Sequence, residues 1–425
     1  MQPIEQQIWD AVQCDGPISF DRFMELSLYS PLGGYYRSHT PIGPAGDYFT
    51  SPTAHPLFGA LLAAQLQQMW ELLGKPSPFT VLESGAGNGI LSRDITSAIQ
   101  TTNPEFARAL HYVALDYSAL GNLQPGSPNS PRLDRISALG IPLHGLVGCI
   151  LTNELLDALP VHRFRVQDGT IFEVFVDVSG DKFVEVLQEP TSPIIAKRVM
   201  AATDGALPEG YKGEVCLRAD SWLTEASGAL TRGFVLTVDY GGTAKELYSP
   251  QRTGGTIRCH YQHVVSANPY VRVGRQDITA HVDFSGLKES GERCDLEVLG
   301  YTTQREFLYN LGAASYLEAL AKNSRPQPSY ETGAIPRQEY LANRMGMQEL
   351  LQPEGLGNFK VLVQGKGILA DDLWGFTPDN PHHVQLQRDI DTLHVPLLTP
   401  THTPLMEGKY PHQDNVLDLN SLTDN

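Results

Sequence analysis

The sequence predicts an α/β fold built on a doubly wound, largely parallel sheet, and two observations lead to that prediction. Short apolar runs that end in polar residues alternate with helix-length segments, which is the pattern of parallel strands joined by crossover helices. One of these runs leads straight into a glycine-rich turn that opens a helix, at Val81–Leu91. The chain has 425 residues, enough for two or three domain-sized units.

The strands of the predicted sheet come from four apolar runs, at 79–83, 111–116, 147–152 and 233–239. Two later segments, 296–299 and 359–364, are expected to close the sheet. Helices are predicted at 304–311 and 338–351, where apolar residues recur every three or four positions.

Residues 1–78 are expected to form an N-terminal helical cap around a loop rich in glycine, proline and tyrosine. Ser19 precedes one helical pattern, and a second runs from Leu57 to Leu73. The sheet domain is predicted at 79–367. Residues 368–425 are acidic and punctuated by prolines, and they are predicted to be a weakly ordered tail.

An inserted β-rich region is predicted at about 161–230, between the third and fourth strands. Three strand-like runs there are separated by Asp168-Gly169 and Gly180-Asp181. Such pairs are hairpin signals, so the insertion is expected to contain an antiparallel meander.

Composition excludes several classes of protein. The 31 Lys and Arg residues are outnumbered by 48 Asp and Glu, giving a net charge of −17, which argues against a nucleic-acid partner. The sequence lacks an apolar run of about 20 residues, so no membrane span is expected. The five cysteines lie far apart, and neither they nor the tail histidines have metal-ligand spacing. The first ten residues resemble no targeting segment, which predicts a cytoplasmic location, or a mitochondrial one for a processed organellar form.

The most informative motif is the segment Glu83-Ser-Gly85-Ala-Gly87-Asn-Gly89, between a strand and a helix. Glycine lets the backbone approach a ligand closely and adopt conformations that other residues avoid. Ile90 occupies the third glycine position of the dinucleotide fingerprint, so the spacing disfavours NAD. The pattern is that of class I S-adenosylmethionine (SAM) methyltransferases, with Glu83 beneath the ammonium group of the ligand. A turn whose glycines serve packing alone is the alternative.

Asp116 ends the next strand, where a carboxylate can accept hydrogen bonds from both ribose hydroxyls of an adenosine. It follows Glu83 by 33 residues, a longer separation than the usual spacing of roughly 20. The alternative interpretation is an exposed acid at the start of a turn.

A third motif, Asn153-Glu154-Leu-Leu-Asp157, follows the third strand of the predicted sheet. Paired carboxylates can bind a guanidinium group through charge-assisted hydrogen bonds, which makes Asn153, Glu154 and Asp157 candidates for the acceptor site. The alternative is a helix N-terminus, where acidic residues are favoured by the helix dipole.

Taken together, these motifs and several others resemble successive blocks of one family. The blocks are 18–20, 28–31, 34–36, 46–52, 58–59, 83–89, 153–162, 238–241, 255–258, 276–284, 303–304, 307–308, 345–346 and 359–362. The chain resembles the MidA-like family of SAM-dependent methyltransferases over about residues 15–366. That family includes the mitochondrial protein arginine methyltransferase needed for assembly of respiratory complex I.

The resemblance implies a class I (Rossmann-like) methyltransferase fold, SAM as cofactor, and a protein arginine side chain as methyl acceptor, on a complex I subunit among the candidates. It also implies that the loop 46–52 closes on the cofactor, with Thr50 and Ser51 near its methionine carboxylate. The sequence departs from the family pattern at Thr53, which replaces an acid, at 116–118, and in a glycine loop without the usual proline and arginine.

Two further residues, His281 and Asp283, precede a predicted helix. His281 is a candidate to orient the substrate or relay a proton, the alternative being a hydrogen-bonded core histidine. Asp283 is a candidate helper and a candidate helix cap. Two rival functions stay open at this level: a non-catalytic assembly factor with the same fold, and a small-molecule methyltransferase. A homodimer also stays open.

Overall fold

A computed structural model describes residues 2–38, 47, 49–117, 130–203, 207–324 and 335–402 of the chain. Its helices are α1 (Pro3–Asp15), α2 (Phe20–Tyr29), α3 (Tyr35–Ser38), α4 (Ser51–Ala54), α5 (Leu57–Leu72), α6 (Ile90–Thr102), α7 (Pro104–Ala109), α8 (Pro193–Ala202), α9 (Arg218–Ala229), α10 (Ala244–Leu247), α11 (Phe284–Glu292), α12 (Gln304–Asn310), α13 (Ala313–Asn323), α14 (Arg337–Glu349) and α15 (Pro381–Arg388).

The strands are β1 (Ile18–Ser19), β2 (Phe79–Ser84), β3 (Leu110–Asp116), β4 (Arg132–Ser137), β5 (Leu146–Asn153), β6 (His162–Gln167), β7 (Thr170–Ser179), β8 (Lys182–Gln188), β9 (Lys212–Val215), β10 (Leu230–Asp239), β11 (Gly241–Gly242), β12 (Arg258–Tyr261), β13 (Val264–Ser266), β14 (Asp277–Thr279), β15 (Val282–Asp283), β16 (Glu297–Thr303) and β17 (Lys360–Lys366).

The central sheet has seven strands in the order β16-β17-β10-β5-β2-β3-β4. Neighbours from β10 to β4 are parallel, whereas β17 runs antiparallel to both β10 and β16. This arrangement confirms the doubly wound α/β prediction. Each strand predicted from an apolar run is present, within about four residues at its ends.

The register of the parallel strands brings their carboxyl ends together. Ser84 of β2 pairs with Leu115 of β3 and with Thr152 of β5, and Asn153 pairs with Val238 of β10. Ligands bind outside this edge in open α/β sheets. The candidate motifs at the ends of β2, β3 and β5 are therefore neighbours.

Helices cover both faces of the sheet. One buried core joins β2, β5 and β10 to α5, α6 and the helices after β16, and the other joins the opposite face to α9 and α11. Burial on both faces explains why the strands read as continuous apolar runs instead of alternating with polar residues.

The insertion folds as the predicted antiparallel meander of β6, β7 and β8, with β9 on the other side of β6. Its turns place Asp168 at φ +51° and Gly180 at φ +63°, left-handed conformations that fit these residue types. β1, from the N-terminal segment, pairs with β7 of the insertion. The division of the chain at residue 78 stays a prediction, but strand pairing joins the two segments on either side of it.

Two regions differ from the sequence-based expectations. The strand β4 was not predicted, because its residues are polar and only partly buried. Residues 368–402 pack against the body of the protein, with Leu373 and Val395 buried in the main core, which is closer packing than a weakly ordered tail implies. Residues 403–425 of the predicted tail lie outside the described residues.

Candidate functional site

The glycine loop connects β2 to α6 and depends on left-handed backbone conformations. Gly85, Gly87 and Gly89 have φ values of +79°, +51° and +73°. A Cβ atom on Gly85 would lie 2.9 Å from Leu155, and one on Gly89 would overlap the guanidinium group of Arg135. Only glycine fits this backbone without strain, so the loop leaves backbone directly exposed to a ligand.

Asp116 is tied to the glycine loop by a direct hydrogen bond. The backbone N–H of Gly87 donates to its carboxylate over 2.8 Å, and the N–H groups of Gly85 and Ala86 donate to the carbonyl of Leu115 over 2.9 and 3.0 Å. The structure therefore brings together the two motifs that were predicted, separately, to hold the cofactor.

Glu83 is buried below the loop, and Tyr112 donates a hydrogen bond to its carboxylate over 2.9 Å. Burial raises the pKa of Glu83 to about 8. A nearby cation would favour the charged form of such a carboxyl group. Glu83 therefore lies directly below the glycine loop, and its role beneath the ammonium group of the cofactor stays a prediction.

Asn153 and Glu154 stand at the end of β5. Glu154 has φ +52°, unusual for a residue other than glycine, and its N–H donates to the carbonyl of Val238 over 2.9 Å. The Asn153 amide donates to the Glu154 carboxylate over 3.0 Å. Burial, with a smaller contribution from Asp157, raises the pKa of Glu154 to about 8.

Asp157 lies in a short 3-10 turn, Leu156–Ala158, rather than at the start of an α-helix. Tyr240 donates to one of its carboxylate oxygens over 2.6 Å. The other oxygen, Oδ1, is buried without a hydrogen-bond donor among the described residues, as is Oδ1 of Asn153. Burial raises the pKa of Asp157 to about 6.

Thr50 and Ser51 begin α4, and their segment packs beside the acceptor motif. The Ser51 N–H donates to the Glu154 carboxylate over 3.2 Å, and its hydroxyl donates to Gln304 over 3.0 Å. Thr50 is buried and caps the short helix. Residues 46 and 48 of the predicted closing loop lie outside the described residues.

Asp283 caps α11, since its carboxylate accepts a hydrogen bond from the N–H of Gly286 over 3.0 Å, as predicted. Its second oxygen is buried and has no donor in the described ranges. His281 is half-buried, with its ring edge-on to the ring of Tyr240 at a centroid separation of 5.4 Å. His281 thus contacts the acceptor side through Tyr240, whereas Asp283 serves a helix end.

Sequence reasoning missed three groups of residues at this site. Asp239, at the end of β10, accepts hydrogen bonds from the N–H groups of Leu156 and Asp157 and fixes the acceptor turn. Asp277 lies buried on β14, where the hydroxyl of Tyr36 donates to its carboxylate over 2.8 Å. The third group consists of Tyr29, at the end of α2, and Tyr240, directly after β10. Asp277 lies in a motif that the sequence singled out, but nothing local indicated where its carboxylate would lie.

One group of potential metal ligands occurs in the described part of the chain, although the sequence predicted no metal site. It consists of Asp21, His162 and Glu173, which lie in the insertion and the adjoining helix. His162 bonds Glu173 at 2.7 Å, and the pKa of His162 is raised although burial opposes it. Arg218 approaches Asp21 at 3.9 Å. His162 and Arg218 already pair with these carboxylates.

The fold, the glycine loop and the acids at the ends of β2 and β3 together define a class I methyltransferase. Residues 61–302 match the family described as "Putative S-adenosyl-L-methionine-dependent methyltransferase". The chain belongs to this family, as the MidA-like resemblance implies.

Solved and curated relatives agree. A Burkholderia thailandensis structure, described as a "likely methyl transferase" bound to S-adenosyl-homocysteine, is 30% identical with a TM-score of 0.76. The alignment covers 89% of this chain and 96% of that one. The mitochondrial protein arginine methyltransferase NDUFAF7 homologue of Drosophila melanogaster is 27% identical, over 87% of this chain and 86% of the relative. Human NDUFAF7 is 29% identical, over 82% and 81% of the two chains.

The protein is therefore a SAM-dependent methyltransferase. In the described part of the chain, no helix is long and apolar enough to cross a membrane.

Proposed function

We propose that the methyl acceptor of this enzyme is a nitrogen of an arginine side chain in a protein. The observation that carries the proposal is the pair of buried acceptor atoms, Oδ1 of Asp157 and Oδ1 of Asn153, which lack donors among the described residues. A buried acceptor without a donor costs free energy until a ligand supplies one. Guanidinium has five N–H donors in a planar fork and no acceptor, so it complements these atoms.

The residues of the cofactor side fit SAM. The left-handed glycine loop, where Cβ atoms on Gly85 and Gly89 would meet Leu155 and Arg135, would approach the methionine part. Asp116 would accept hydrogen bonds from the ribose hydroxyls. Glu83, Thr50 and Ser51 would hold the ammonium and carboxylate ends. SAM supplies an electrophilic methyl group on a sulfonium sulfur.

The chain's own residues would then position the acceptor. Glu154 and Asp157 hold the guanidinium group, and Asn153 adds an amide oxygen, so that one nitrogen faces the methyl group. Tyr240 donates to Oδ2 of Asp157, which leaves Oδ1 to the acceptor. The nitrogen gains a methyl group and loses a proton. The Asp157 carboxyl group, whose pKa is raised by burial, would lie beside this nitrogen and suits the role of proton acceptor.

The names of the relatives support the same acceptor, since the curated proteins are called protein arginine methyltransferases. A respiratory complex I subunit is the acceptor protein expected from the family resemblance. The same relatives are named mitochondrial and do not support the cytoplasmic location predicted from the sequence. The absence of a nucleic-acid partner and the homodimer stay predictions.

The test is methyl transfer from labelled SAM to proteins of a cell lysate that includes the respiratory membranes. The labelled protein is isolated, and mass spectrometry locates the methyl group. The proposal predicts methylarginine, absent when the Gly87→Val variant replaces the enzyme. Label on another side chain contradicts the arginine acceptor, and label only in small molecules favours the small-molecule alternative.

A further inference from the structure

Elements far away in sequence pack on the turn Leu156–Ala158, the acceptor turn, which carries Asp157. The surface that they form beside this turn is called the wall below. The strand β14, which carries Asp277, packs on the acceptor turn: the Ala280 N–H just after it donates to the carbonyl of Asp157 over 2.9 Å. Tyr29 donates to the next carbonyl, that of Ala158, over 2.8 Å. Both segments therefore meet the turn that holds Asp157.

Aromatic rings extend this wall toward the cofactor side. The rings of Tyr29 and Tyr36 are stacked at 5.4 Å, and the ring of Tyr117, next to Asp116, lies edge-on to Tyr29 at 5.5 Å. The hydroxyl of Tyr117 donates to the carbonyl of Tyr29 over 2.7 Å. Half-buried rings thus bridge the end of β3 and the acceptor turn.

Asp277 adds a buried carboxyl group to this wall. Its carboxylate accepts hydrogen bonds from Tyr36 over 2.8 Å and from its neighbour's N–H over 2.9 Å, and both are neutral donors. No lysine, arginine or histidine forms an ion pair with Asp277 within the described ranges. Burial, followed by the nearby Asp157, raises the pKa of Asp277 to about 8. A buried acid beside another acid, with no basic partner, is compensated when a cation enters.

The same aromatic group already packs against a guanidinium from within the chain. The Arg37 guanidinium lies over the Tyr117 ring, 3.7 Å from its centroid. Planar guanidinium groups stack on aromatic faces, whereas the compact ammonium of lysine gains less from a flat wall.

We infer that Asp277, Tyr36 and Tyr29 form a substrate-recognition wall that selects a planar guanidinium group over an ammonium group, an inference that rests on the proposed arginine acceptor. Tyr36 fixes the Asp277 carboxylate, and Tyr29 presents the aromatic surface. Asp277 and Tyr36 would act on acceptor binding more than on the methyl-transfer step, because Asp157 and Glu154 face the reacting nitrogen.

The experiment measures kcat and KM for an arginine peptide taken from the labelled acceptor, and for the same peptide with lysine in place of arginine. Asp277→Asn and Tyr36→Phe should each raise the KM for the arginine peptide by about tenfold, the effect of losing one charge-assisted contact. The kcat should stay within about threefold, and SAM affinity should hardly change. Tyr29→Leu should narrow the preference for arginine over lysine.

Tyr211→Phe is the matched control, because that buried hydroxyl belongs to the insertion and donates to the carbonyl of Leu247 in α10, not to the acceptor turn. It should leave KM unchanged. Thermal melting and SAM binding show that each variant is folded. If Asp277→Asn does not fold, Tyr36→Phe still tests the inference. Methylarginine formation with unchanged KM in both variants overturns this inference alone. Wild-type transfer to a residue other than arginine overturns the proposed function itself.

Discussion

Two sets of carboxyl groups in this protein have pKa values shifted in opposite directions. In the insertion, Glu185 pairs with Arg163 and Arg165, Glu173 bonds His162 and Thr191, and the pKa values of both acids are lowered although burial opposes this. At the acceptor turn, burial raises the pKa of Asp157 to about 6 and that of Asp277 to about 8. Neither has a basic partner in the described part of the chain.

From this difference we infer that the insertion acids stabilise the fold and that the acceptor acids bind a ligand. Acids that stabilise a folded protein are normally paired or fully hydrogen-bonded. The insertion acids are paired with basic side chains, whereas Asp157 and Asp277 have no basic partner among the described residues. In the insertion, arginine and histidine side chains supply the positive charge that pairs with the carboxylates. At the acceptor turn, a cationic substrate would supply that charge, and the proposed arginine acceptor is based on this argument.

The largest expected effect comes from a change that leaves both sets of carboxylates intact. Gly87→Val should reduce SAM affinity by more than about a hundredfold and abolish transfer, because a β-branched residue at φ +51° is strained and its side chain intrudes on the ligand. Calorimetric titration with SAM measures this. Gly180→Val, at φ +63° in the hairpin turn of the insertion, is the control for strain alone and should bind SAM normally. Equal SAM binding by the Gly87 variant and the parent would make the loop structural.

The next effect separates the acceptor acids from the cofactor site. Asp157→Asn removes one charge-assisted hydrogen bond, about 1.5–3 kcal/mol. At about 1.4 kcal/mol per decade, methyl transfer should fall roughly ten- to one-hundred-and-fifty-fold. SAM affinity should hardly change. Loss of both methyl transfer and SAM affinity would mean that Asp157 supports the cofactor or the fold. If neither quantity changed, Asp157 would not belong to the active site.

The two sets also predict opposite pH dependences of stability. The acceptor acids have raised pKa values, so the folded protein holds their protons longer than the unfolded chain. Their contribution is complete below about pH 4 and is lost as the pH rises through about 6 and 8. The insertion acids have lowered pKa values, so their contribution is present above about pH 4.5 and is lost as the pH falls below it.

The measurement is the melting temperature of the ligand-free protein, which should be highest near pH 5 and lower by at least about 3 °C at pH 9. The double variant Asp157→Asn, Asp277→Asn should flatten the decrease between pH 5 and 9 and leave the acid side unchanged. A melting temperature that rises from pH 5 to 9 in the parent would contradict the raised pKa values.

The smallest effect on transfer is expected in the insertion. Glu185→Gln leaves the buried Arg163 guanidinium with weaker partners and should lower the free energy of unfolding by about 1–3 kcal/mol. Methyl transfer should change less than about twofold, since that ion pair lies outside the acceptor pocket. A fall in transfer as large as that of Asp157→Asn would erase the distinction between the two sets.

The sequence predicted the parts of the site that depend on local spacing. The glycine loop, Asp116 and the acceptor motif lie at the ends of three different strands, β2, β3 and β5. Each motif spans only a few residues, and the parallel sheet brings the three strand ends together. Asp277 and Tyr36 are separated by 241 positions, and only tertiary packing aligns them. The roles of Asp239 and Tyr240 were missed for a related reason, because they act on a turn that begins from a different strand. The polar strand β4 escaped prediction since it lacks an apolar run.

The most direct test is proton release when the acceptor binds. Calorimetric titration of an arginine peptide into the complex with S-adenosyl-homocysteine, in two buffers with different ionisation heats, counts the protons exchanged. Protonated carboxyl groups with pKa values of about 6 to 8 should lose protons to the buffer as the guanidinium enters, so we expect net release at pH 6.5 and less release in Asp157→Asn. Binding with no proton exchange, or with proton uptake, would contradict the conclusion that these acids bind a cationic substrate.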